Sequence, residues 1–128
     1  MKKIKYEWNQ LENDCIDLAK KLKYNKIAIK DIYGVPRGGL IPAVILSHIL
    51  NLKIINHQDL ITKETLIVDD ISDSGETLAK INKLSSPTVT LWKDKETKFR
   101  PLFCCRVKTK DEWVIFPFET LKSSKKDN

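Results

Sequence analysis

The apolar residues of this chain follow two kinds of spacing, which alternate along most of its length. Residues 8–22 place apolar side chains three and four positions apart, which predicts an amphipathic helix. Residues 40–50 are apolar on almost every side, which predicts a helix that is mostly buried. A third helix is expected over residues 77–84, where apolar side chains return to a helical spacing.

Short apolar runs rich in branched residues lie between these helices and predict strands. These runs cover residues 26–33, 52–55, 66–68, 88–92 and 102–107. Because strands alternate with helices, we expect an α/β fold: a mainly parallel sheet with helices on both faces and right-handed crossovers. Residues 111–119 mix acids, a tryptophan and apolar residues, and we expect this C-terminal segment to form a small hood over the sheet edge.

Length and composition are those of one ordinary soluble domain. The chain has 128 residues, 41% hydrophobic and 31% charged, without internal repeats or a linker. We therefore expect a single domain over residues 1–128, with residues 122–128 as a disordered tail. No apolar span reaches the length of a membrane helix, and no apolar run follows the basic start, so neither a membrane anchor nor a signal peptide is predicted.

Charge and cysteine content narrow the choice of partners and compartment. The formal net charge is +6, and much of the excess lies near the two ends of the chain. No array of aromatic residues is interleaved with these lysines, so the pattern favours solvated termini and no nucleic-acid partner. The three cysteines are an odd number without metal-ligand spacing, which predicts reduced thiols and a cytoplasmic protein.

The most informative stretch follows the third predicted strand. Two carboxylates, Asp69 and Asp70, come where the apolar run 66–68 should end, and a polar turn over residues 72–75 leads into a helix. Ligands of open α/β sheets bind beyond the carboxyl ends of the strands. Backbone N–H groups of such a turn form an anion site, to which the hydroxyls of Ser74 and Thr77 add donors.

A second strand, loop and helix unit has similar features. Gly34, Arg37, Gly38 and Gly39 form a tight loop between the strand 26–33 and the helix 40–50. Pro42 is compatible with this helix because it lies in the first turn, where N–H groups lack partners. The chain therefore has two candidate anion sites at the same edge of the predicted sheet.

Residues 66–78 resemble the signature of type I phosphoribosyltransferases, in which an apolar strand, two acids and an Asp-Ser/Thr-Gly-x-Thr loop precede a helix. The run Val35-Pro36-Arg37-Gly38-Gly39-Leu40 resembles the pyrophosphate loop of the bacterial xanthine–guanine enzymes of that family. This resemblance extends over residues 8–119. It implies transfer of the phosphoribosyl group from phosphoribosyl pyrophosphate (PRPP) to a 6-oxopurine, with Mg²⁺ as cofactor and a homo-oligomer, a dimer or tetramer, as the assembly.

The resemblance also implies roles for individual residues. Asp69, Asp70 and Asp73 are the expected catalytic residues: the first two hold the ribose hydroxyls and the metal, and Asp73 is the acid/base at purine N7. PRPP is expected on the residues of the two loops and the acid pair: Arg37, Gly38, Gly39, Asp69, Asp70, Asp73, Ser74, Gly75, Glu76 and Thr77. The family's pyrophosphate loop often contains a cis peptide. The base is expected on Lys93, which contacts the exocyclic oxygen at carbon 6, on Trp113, whose indole stacks on the ring, and on Val114 beside it in the sequence.

One departure from the family keeps a second hypothesis open. Type I enzymes usually carry a long closing loop before the acidic strand, but here only residues 56–64 are available. A binding protein that senses PRPP or a nucleotide, without catalysis, is therefore the alternative. A nucleic-acid-binding domain is a third hypothesis and rests only on charge. The sequence leaves the preferred purine, the oligomeric state, the turnover rate and the ability of residues 56–64 to close undetermined.

Overall fold

A five-stranded parallel sheet organises the computed structural model, which describes residues 1–120. Its order is β3 (Lys53–Ile54), β2 (Asp31–Gly34), β4 (Thr65–Ser72), β5 (Thr88–Asp94) and β6 (Phe103–Lys108). Every neighbouring pair is parallel. The carboxyl ends of these strands therefore meet at one edge, where the sequence places its candidate binding residues.

Helices cover both faces of this sheet, as predicted. Helices α1 (Trp8–Tyr24) and α2 (Leu40–Leu50) contact each other and pack on one face, where the larger apolar core lies. Helix α3 (Glu76–Ile81) packs through Leu78 in a smaller core with Ile67 on the opposite face. Residues 66–68 alternate between the two cores because successive side chains of a strand point to opposite faces. The α/β fold class is confirmed.

A two-stranded parallel sheet forms the hood. Strand β1 (Lys2–Lys5) pairs with β7 (Glu112–Ile115), so the hood is built from both ends of the domain and not from residues 111–119 alone. The basic start, predicted to be a solvated terminus, is thus a strand with mostly exposed side chains. Tyr6 joins the hood to the main sheet: its ring meets Trp92 and Phe116 edge-on, and its hydroxyl donates to Asp14.

Three further expectations need correction. The strand predicted over 26–33 begins only at Asp31, and Ile27 and Ile29 pack on the core from a loop. Helix α2 is not buried all round, because only one of its sides faces the sheet and α1; Leu40 and Val44 are 43% and 44% exposed. Helix α3 ends at Ile81, short of residue 84, and Asn82 then caps the following turn by accepting the Ser86 N–H.

Two further predictions concern membrane helices and the C-terminal tail. No helix of residues 1–120 combines the length and apolar character needed to cross a membrane. The predicted tail, residues 122–128, lies outside the described residues.

Candidate active site

A cavity of about 530 Å³ opens between the carboxyl ends of the strands and the hood. Its volume lies in the range of small-molecule sites. Its wall carries residues from both candidate anion loops, from the acid pair and from the hood: Val35, Pro36, Arg37, Gly38, Asp69, Asp70, Ile71, Asp73, Thr77, Lys108, Trp113, Val114, Phe116, Phe118 and Glu119. The fold thus brings together segments that lie up to 84 residues apart, from Val35 to Glu119.

The loop after β2 reaches the cavity through Arg37 and Gly38. A cis peptide joins Pro36 to Arg37, as the resemblance implies for this loop. A Cβ on Gly38 would lie 1.9 Å from Oδ2 of Asp70, so only glycine allows the loop to approach the acid pair this closely. Gly39 does not line the cavity: it is buried against the Val68 carbonyl oxygen, 2.4 Å from where its Cβ would stand, and shapes the loop from below.

The acid pair lies inside β4 rather than after its end. The strand continues to Ser72, four residues beyond the predicted run, and both Asp69 and Asp70 line the cavity. Asp69 is 8% exposed, and its Oδ1 accepts the Asp70 N–H at 2.8 Å. Burial first, and the neighbouring Asp70 carboxylate second, raise the pKa of Asp69 well above its usual range. Two carboxylates held this close favour a cation or hydrogen-bond donors between them.

The loop after β4 is held from behind by the connection between β5 and β6. Ser72 Oγ donates to the Phe99 carbonyl at 2.8 Å, and the Lys98 N–H donates to the Ser74 carbonyl at 3.0 Å. Gly75 has φ +89°, and a Cβ there would lie 2.5 Å from the Phe99 nitrogen. The motif requires glycine here for two reasons: the backbone is in the left-handed region, and the β5–β6 connection leaves no room for a side chain.

The predicted phosphate-loop residues divide into two groups. Asp73 and Thr77 line the cavity. Ser74 and Glu76 are exposed beside it, where Ser74 Oγ accepts the Glu76 N–H at 3.3 Å, and Gly75 is buried under the β5–β6 connection.

Lys108, at the end of β6, is a cavity residue that the sequence analysis missed. Its Nζ lies 2.8 Å from Oδ2 of Asp94 and 3.1 Å from Oδ1 of Asp73. Burial alone would lower the pKa of Lys108, but its hydrogen bonds with Asp94 and Asp73 raise it above the ordinary value. Burial alone would likewise raise the pKa of Asp94, but Lys108 and the Glu96 N–H hold it below the usual range. Both groups are therefore ionised at neutral pH.

The expected base contact Lys93 is not among the residues that form the cavity. It lies in β5, half-buried, opposite Ser72 and Val107. Strand β5 continues one residue further, to Asp94, and neighbouring residues of a strand point to opposite faces. Asp94, not Lys93, is consequently the β5 residue that bonds to the lysine of the cavity. The available signal was a carboxylate two residues beyond one predicted strand end and an ammonium group one residue beyond the next.

The hood residues Trp113 and Val114 do reach the cavity. Val114 is buried in the larger core, and Trp113 is half-buried on the cavity wall, which also carries Lys108 and Asp73. A partly exposed indole on the wall of a polar cavity suits stacking on a flat heterocycle.

Neither the short connection before β4 nor the histidine of α2 belongs to the cavity wall. Residues 56–64 contain one turn of 3₁₀ helix, Gln58–Leu60, and a second turn at residues 63–64, and they do not line this cavity. His48 is exposed on α2. Within residues 1–120, no three His, Cys, Asp or Glu side chains cluster in a way that could hold a metal ion.

Comparison with known proteins gives concordant matches in sequence and in structure, although no family model matches. The chain is 30% identical to the xanthine-guanine phosphoribosyltransferase of Gluconobacter oxydans, over 88% of this chain and 82% of that protein. A purine phosphoribosyltransferase structure from Pyrococcus horikoshii shares 34% identity with a TM-score of 0.78, covering 94% of this chain and 96% of the other.

A third match supports the fold alone. The Helicobacter pylori xanthine-guanine-hypoxanthine phosphoribosyltransferase superposes with a TM-score of 0.81 at 20% identity, over 98% of this chain and 99% of the other. The fold, the cavity and the identity to a relative matched over most of both chains agree, and the chain belongs to the xanthine–guanine phosphoribosyltransferase family.

Proposed function

We propose that this protein transfers the phosphoribosyl group of PRPP to a 6-oxopurine, guanine, xanthine or hypoxanthine, and releases pyrophosphate. The observation that carries the proposal is the composition of one cavity, which has an arginine–glycine loop, an acid pair, Asp73 and an indole on its wall. Each of these groups meets a different part of the two substrates. Family membership supports the same reaction.

The PRPP half of the site is formed by the two loops and β4. Arg37 and the backbone of Gly38 are suited to the pyrophosphate group, because a guanidinium and main-chain N–H groups both donate to phosphate oxygens. The carboxylates of Asp69 and Asp70 accept hydrogen bonds from ribose hydroxyls. Asp73 and Thr77 are the first and last residues of the loop that we assign to the 5′-phosphate. Both line the cavity, and the Thr77 hydroxyl is a hydrogen-bond donor there.

Mg²⁺ fits this half of the site. The ion prefers oxygen ligands and is commonly held by one or two carboxylates together with substrate phosphates and waters. Asp69 and Asp70 provide such a pair at the cavity wall, and the raised pKa of Asp69 reflects a burial and a like charge that a cation would offset. When bound, the ion neutralises charge on the leaving pyrophosphate.

The base half of the site holds the purine against the sugar. The Trp113 ring stacks on the base, and Asp73 accepts the proton that purine N7 gives up as N9 attacks carbon 1 of the ribose. In that step the bond from N9 to carbon 1 forms while the bond from carbon 1 to the pyrophosphate oxygen breaks. Holding both substrates in line supplies much of the rate gain, and proton transfer at Asp73 supplies a further part.

The test is nucleotide formation, followed by chromatography, from PRPP and MgCl₂ with guanine, xanthine, hypoxanthine, adenine, uracil or orotate. The proposal predicts product from one or more 6-oxopurines, and loss of product when EDTA replaces MgCl₂. Product from adenine or a pyrimidine alone would keep the transferase and remove the base assignment. No product from folded protein would favour the sensing protein without catalysis.

Assembly and compartment are also proposals. We expect a homo-oligomer, a dimer or tetramer, which light scattering coupled to size-exclusion chromatography would measure. We place the protein in the cytoplasm, since Cys15, Cys104 and Cys105 are all unpaired.

A further inference from the structure

The hood that carries Trp113 is attached to the rest of the domain at two places. Strand β7 follows β6 after a connection of three residues, 109–111, and β1 continues into α1 through Tyr6 and Glu7. All four residues of β1 pair with β7, and Lys3 lies opposite Trp113 in the register. The attachment of β1 to the main domain therefore helps to set the position of the indole.

Apolar contacts alone do not fix the hood in one position. Val114 and Phe116 are buried in the larger core and hold the hood down. Burial of apolar surface is non-directional, so it stabilises many nearby arrangements almost equally. A single position requires hydrogen bonds, which depend on direction as well as distance.

Tyr6 forms such bonds to both sides. Its N–H donates to the Ile115 carbonyl at 3.0 Å, next to the end of the hood strands, and its hydroxyl donates to Oδ2 of Asp14 on α1. The residue is 1% exposed, and a hydrogen bond shielded from water is stronger than an exposed one. Burial first, and the bond to Asp14 second, raise the pKa of Tyr6, so the hydroxyl keeps the proton that it donates.

Arg106 of β6 fixes Asp14 from the main sheet. Its Nε donates to Oδ2 of Asp14 at 2.7 Å, its Nη2 donates to Oδ1 at 3.4 Å, and its guanidinium carbon lies 5.4 Å from the centre of the Tyr6 ring. The hydrogen bond to Asp14 is the main cause that raises the pKa of Arg106, so the pair stays charged. The hood, α1 and β6 thus meet at one carboxylate whose side chain is 9% exposed.

The ring of Tyr6 continues this contact to the cavity wall. It meets the Phe116 ring edge-on at 5.7 Å, and Phe116 stacks on Phe118 at 5.5 Å. Phe116, Phe118 and Trp113 all line the cavity, whereas Tyr6 is not among the residues that form its wall. A shift of Tyr6 would therefore move the hood side of the cavity and leave the acid pair on β4 in place.

We propose that Tyr6, held by Asp14 and Arg106, positions the hood so that Trp113 can stack on the base. The three are positioning residues, since they act through Trp113 and do not touch the substrates. This inference rests on the proposed function for the base under the hood, and it adds the contact that keeps the hood in place. Its consequence is selective: binding of the base depends on Tyr6, whereas binding of the sugar phosphate does not.

The experiment compares two ligands that differ in the base. Inosine 5′-monophosphate carries a base for the hood, and ribose 5-phosphate has only the sugar and the phosphate. Calorimetry measures both affinities for the natural protein, Tyr6→Phe and Tyr24→Phe. Tyr6→Phe removes the hydroxyl but leaves Asp14 paired with Arg106. Tyr24 is 87% exposed at the end of α1, and Tyr24→Phe is the matched control because it loses the same hydroxyl away from the hood.

Tyr6→Phe should weaken the inosine nucleotide by about fivefold or more, a large part of what one stack of a base on an aromatic ring contributes. Ribose 5-phosphate should weaken by less than about twofold, and Tyr24→Phe should bind both ligands as the natural protein does. Equal losses for both ligands in Tyr6→Phe would give Tyr6 a merely structural role and overturn the inference. Unchanged affinities would also overturn it.

A double-mutant cycle with Trp113→Ala tests whether Tyr6 acts through the indole. Trp113→Ala removes the ring, and should weaken the inosine nucleotide by about tenfold or more. If Tyr6 acts only by placing this ring, Tyr6→Phe causes little further loss in the Trp113→Ala protein. Losses that multiply fully in the double variant would separate the two residues and overturn the inference.

Two substitutions of Asp14 provide a test that does not depend on the stability of Tyr6→Phe. Asp14→Asn keeps one acceptor oxygen for the Tyr6 hydroxyl but removes the charge that strengthens the bond, so a small selective loss is expected. Asp14→Ala removes the acceptor, and its selective loss should be at least that of Tyr6→Phe. Asp14→Ala protein that keeps the natural affinity for the inosine nucleotide would contradict the proposed role.

Binding also separates this inference from the proposed function. If the natural protein forms no nucleotide from PRPP and a purine, but Tyr6→Phe shows the selective loss, the transferase fails and the positioning role stands. If the natural protein forms nucleotide and Tyr6→Phe keeps both affinities, the transferase stands and the positioning role fails. Natural protein that binds the two ligands equally, or binds neither, also overturns the inference.

Discussion

The two halves of the cavity are built in different ways. The PRPP half consists of two contiguous runs, residues 34–39 and 69–77, in which loop backbone and side chains come from the same few residues. The base half shares Asp73 with the second of these runs and takes Trp113 from the hood. Lys108, which pairs with Asp73, comes from a third segment and depends on Asp94 from a fourth. A contiguous motif is visible in a sequence, whereas a site made of single residues becomes visible only when the strands are in register.

The largest expected effect is in the base half, at the proton acceptor. Asp73→Asn keeps the shape of the side chain but removes its basicity, so kcat should fall by about 10²- to 10⁴-fold. PRPP affinity, measured by calorimetry, should stay close to that of the natural protein, because the loop is held from behind through Ser72 and Ser74. Asp17→Asn, an exposed change on α1, is the control. An unchanged kcat in Asp73→Asn would remove Asp73 from the mechanism.

The next effect tests the pair beneath the base half. Lys108→Met leaves the Asp94 carboxylate buried without a cation, and the free energy of unfolding should fall by about 3–5 kcal/mol. Urea denaturation measures this change. The double variant Lys108→Met with Asp94→Leu replaces the pair with apolar groups and should recover most of the loss. Similar stability of Lys108→Met and the natural protein would mean that Asp94 finds another partner.

The matching test in the PRPP half is Gly38→Ala. The new Cβ would stand 1.9 Å from Oδ2 of Asp70, so the loop and the acid pair must move apart. A misplacement of about 1 Å costs roughly a hundredfold, which we expect in kcat/KM for PRPP. An unchanged kcat/KM in Gly38→Ala would mean that the loop and the acid pair can move apart without harm to the site.

The smallest effect is the pH dependence that the Asp94–Lys108 pair gives to folding. Because the pKa of Asp94 is lowered in the folded protein, its contribution is present above the pKa of the unfolded aspartate, about 3.9. The contribution is lost as the pH falls through the lower, folded value. Urea denaturation between about pH 5 and pH 3 should therefore show a steeper loss of stability in the natural protein than in Lys108→Met/Asp94→Leu. Parallel curves would mean that Asp94 gains nothing from Lys108.

The exposed side of α2 marks the limit of what periodicity reveals about packing. Its sequence is apolar on almost every side, yet Leu40 and Val44 remain exposed, because the single sheet and α1 cover only part of the helix. An apolar side chain gains stability when it is buried, but its sequence does not show whether a neighbour covers it. The number of neighbouring elements decides whether it is buried.

The sequence by itself determined the parts of this protein that are local. The two strand, loop and helix units, the glycine positions and the acid pair follow from runs of adjacent residues, since backbone conformation and hydrophobic spacing act over a few positions. These runs were enough to predict a parallel α/β fold and to recognise the resemblance to phosphoribosyltransferases.

Tertiary structure decided what depends on pairing between distant segments. Strand β1 has only Ile4 as an apolar residue, and it forms because β7, more than 100 residues later, offers a partner edge. The pairing of Lys108 with Asp94 depends on strands that run beyond their apolar runs, β5 by two residues and β6 by one, and a shift of one residue turns a side chain to the other face. Strand register is a property of pairs of strands, so the amino-acid sequence of one strand does not contain it.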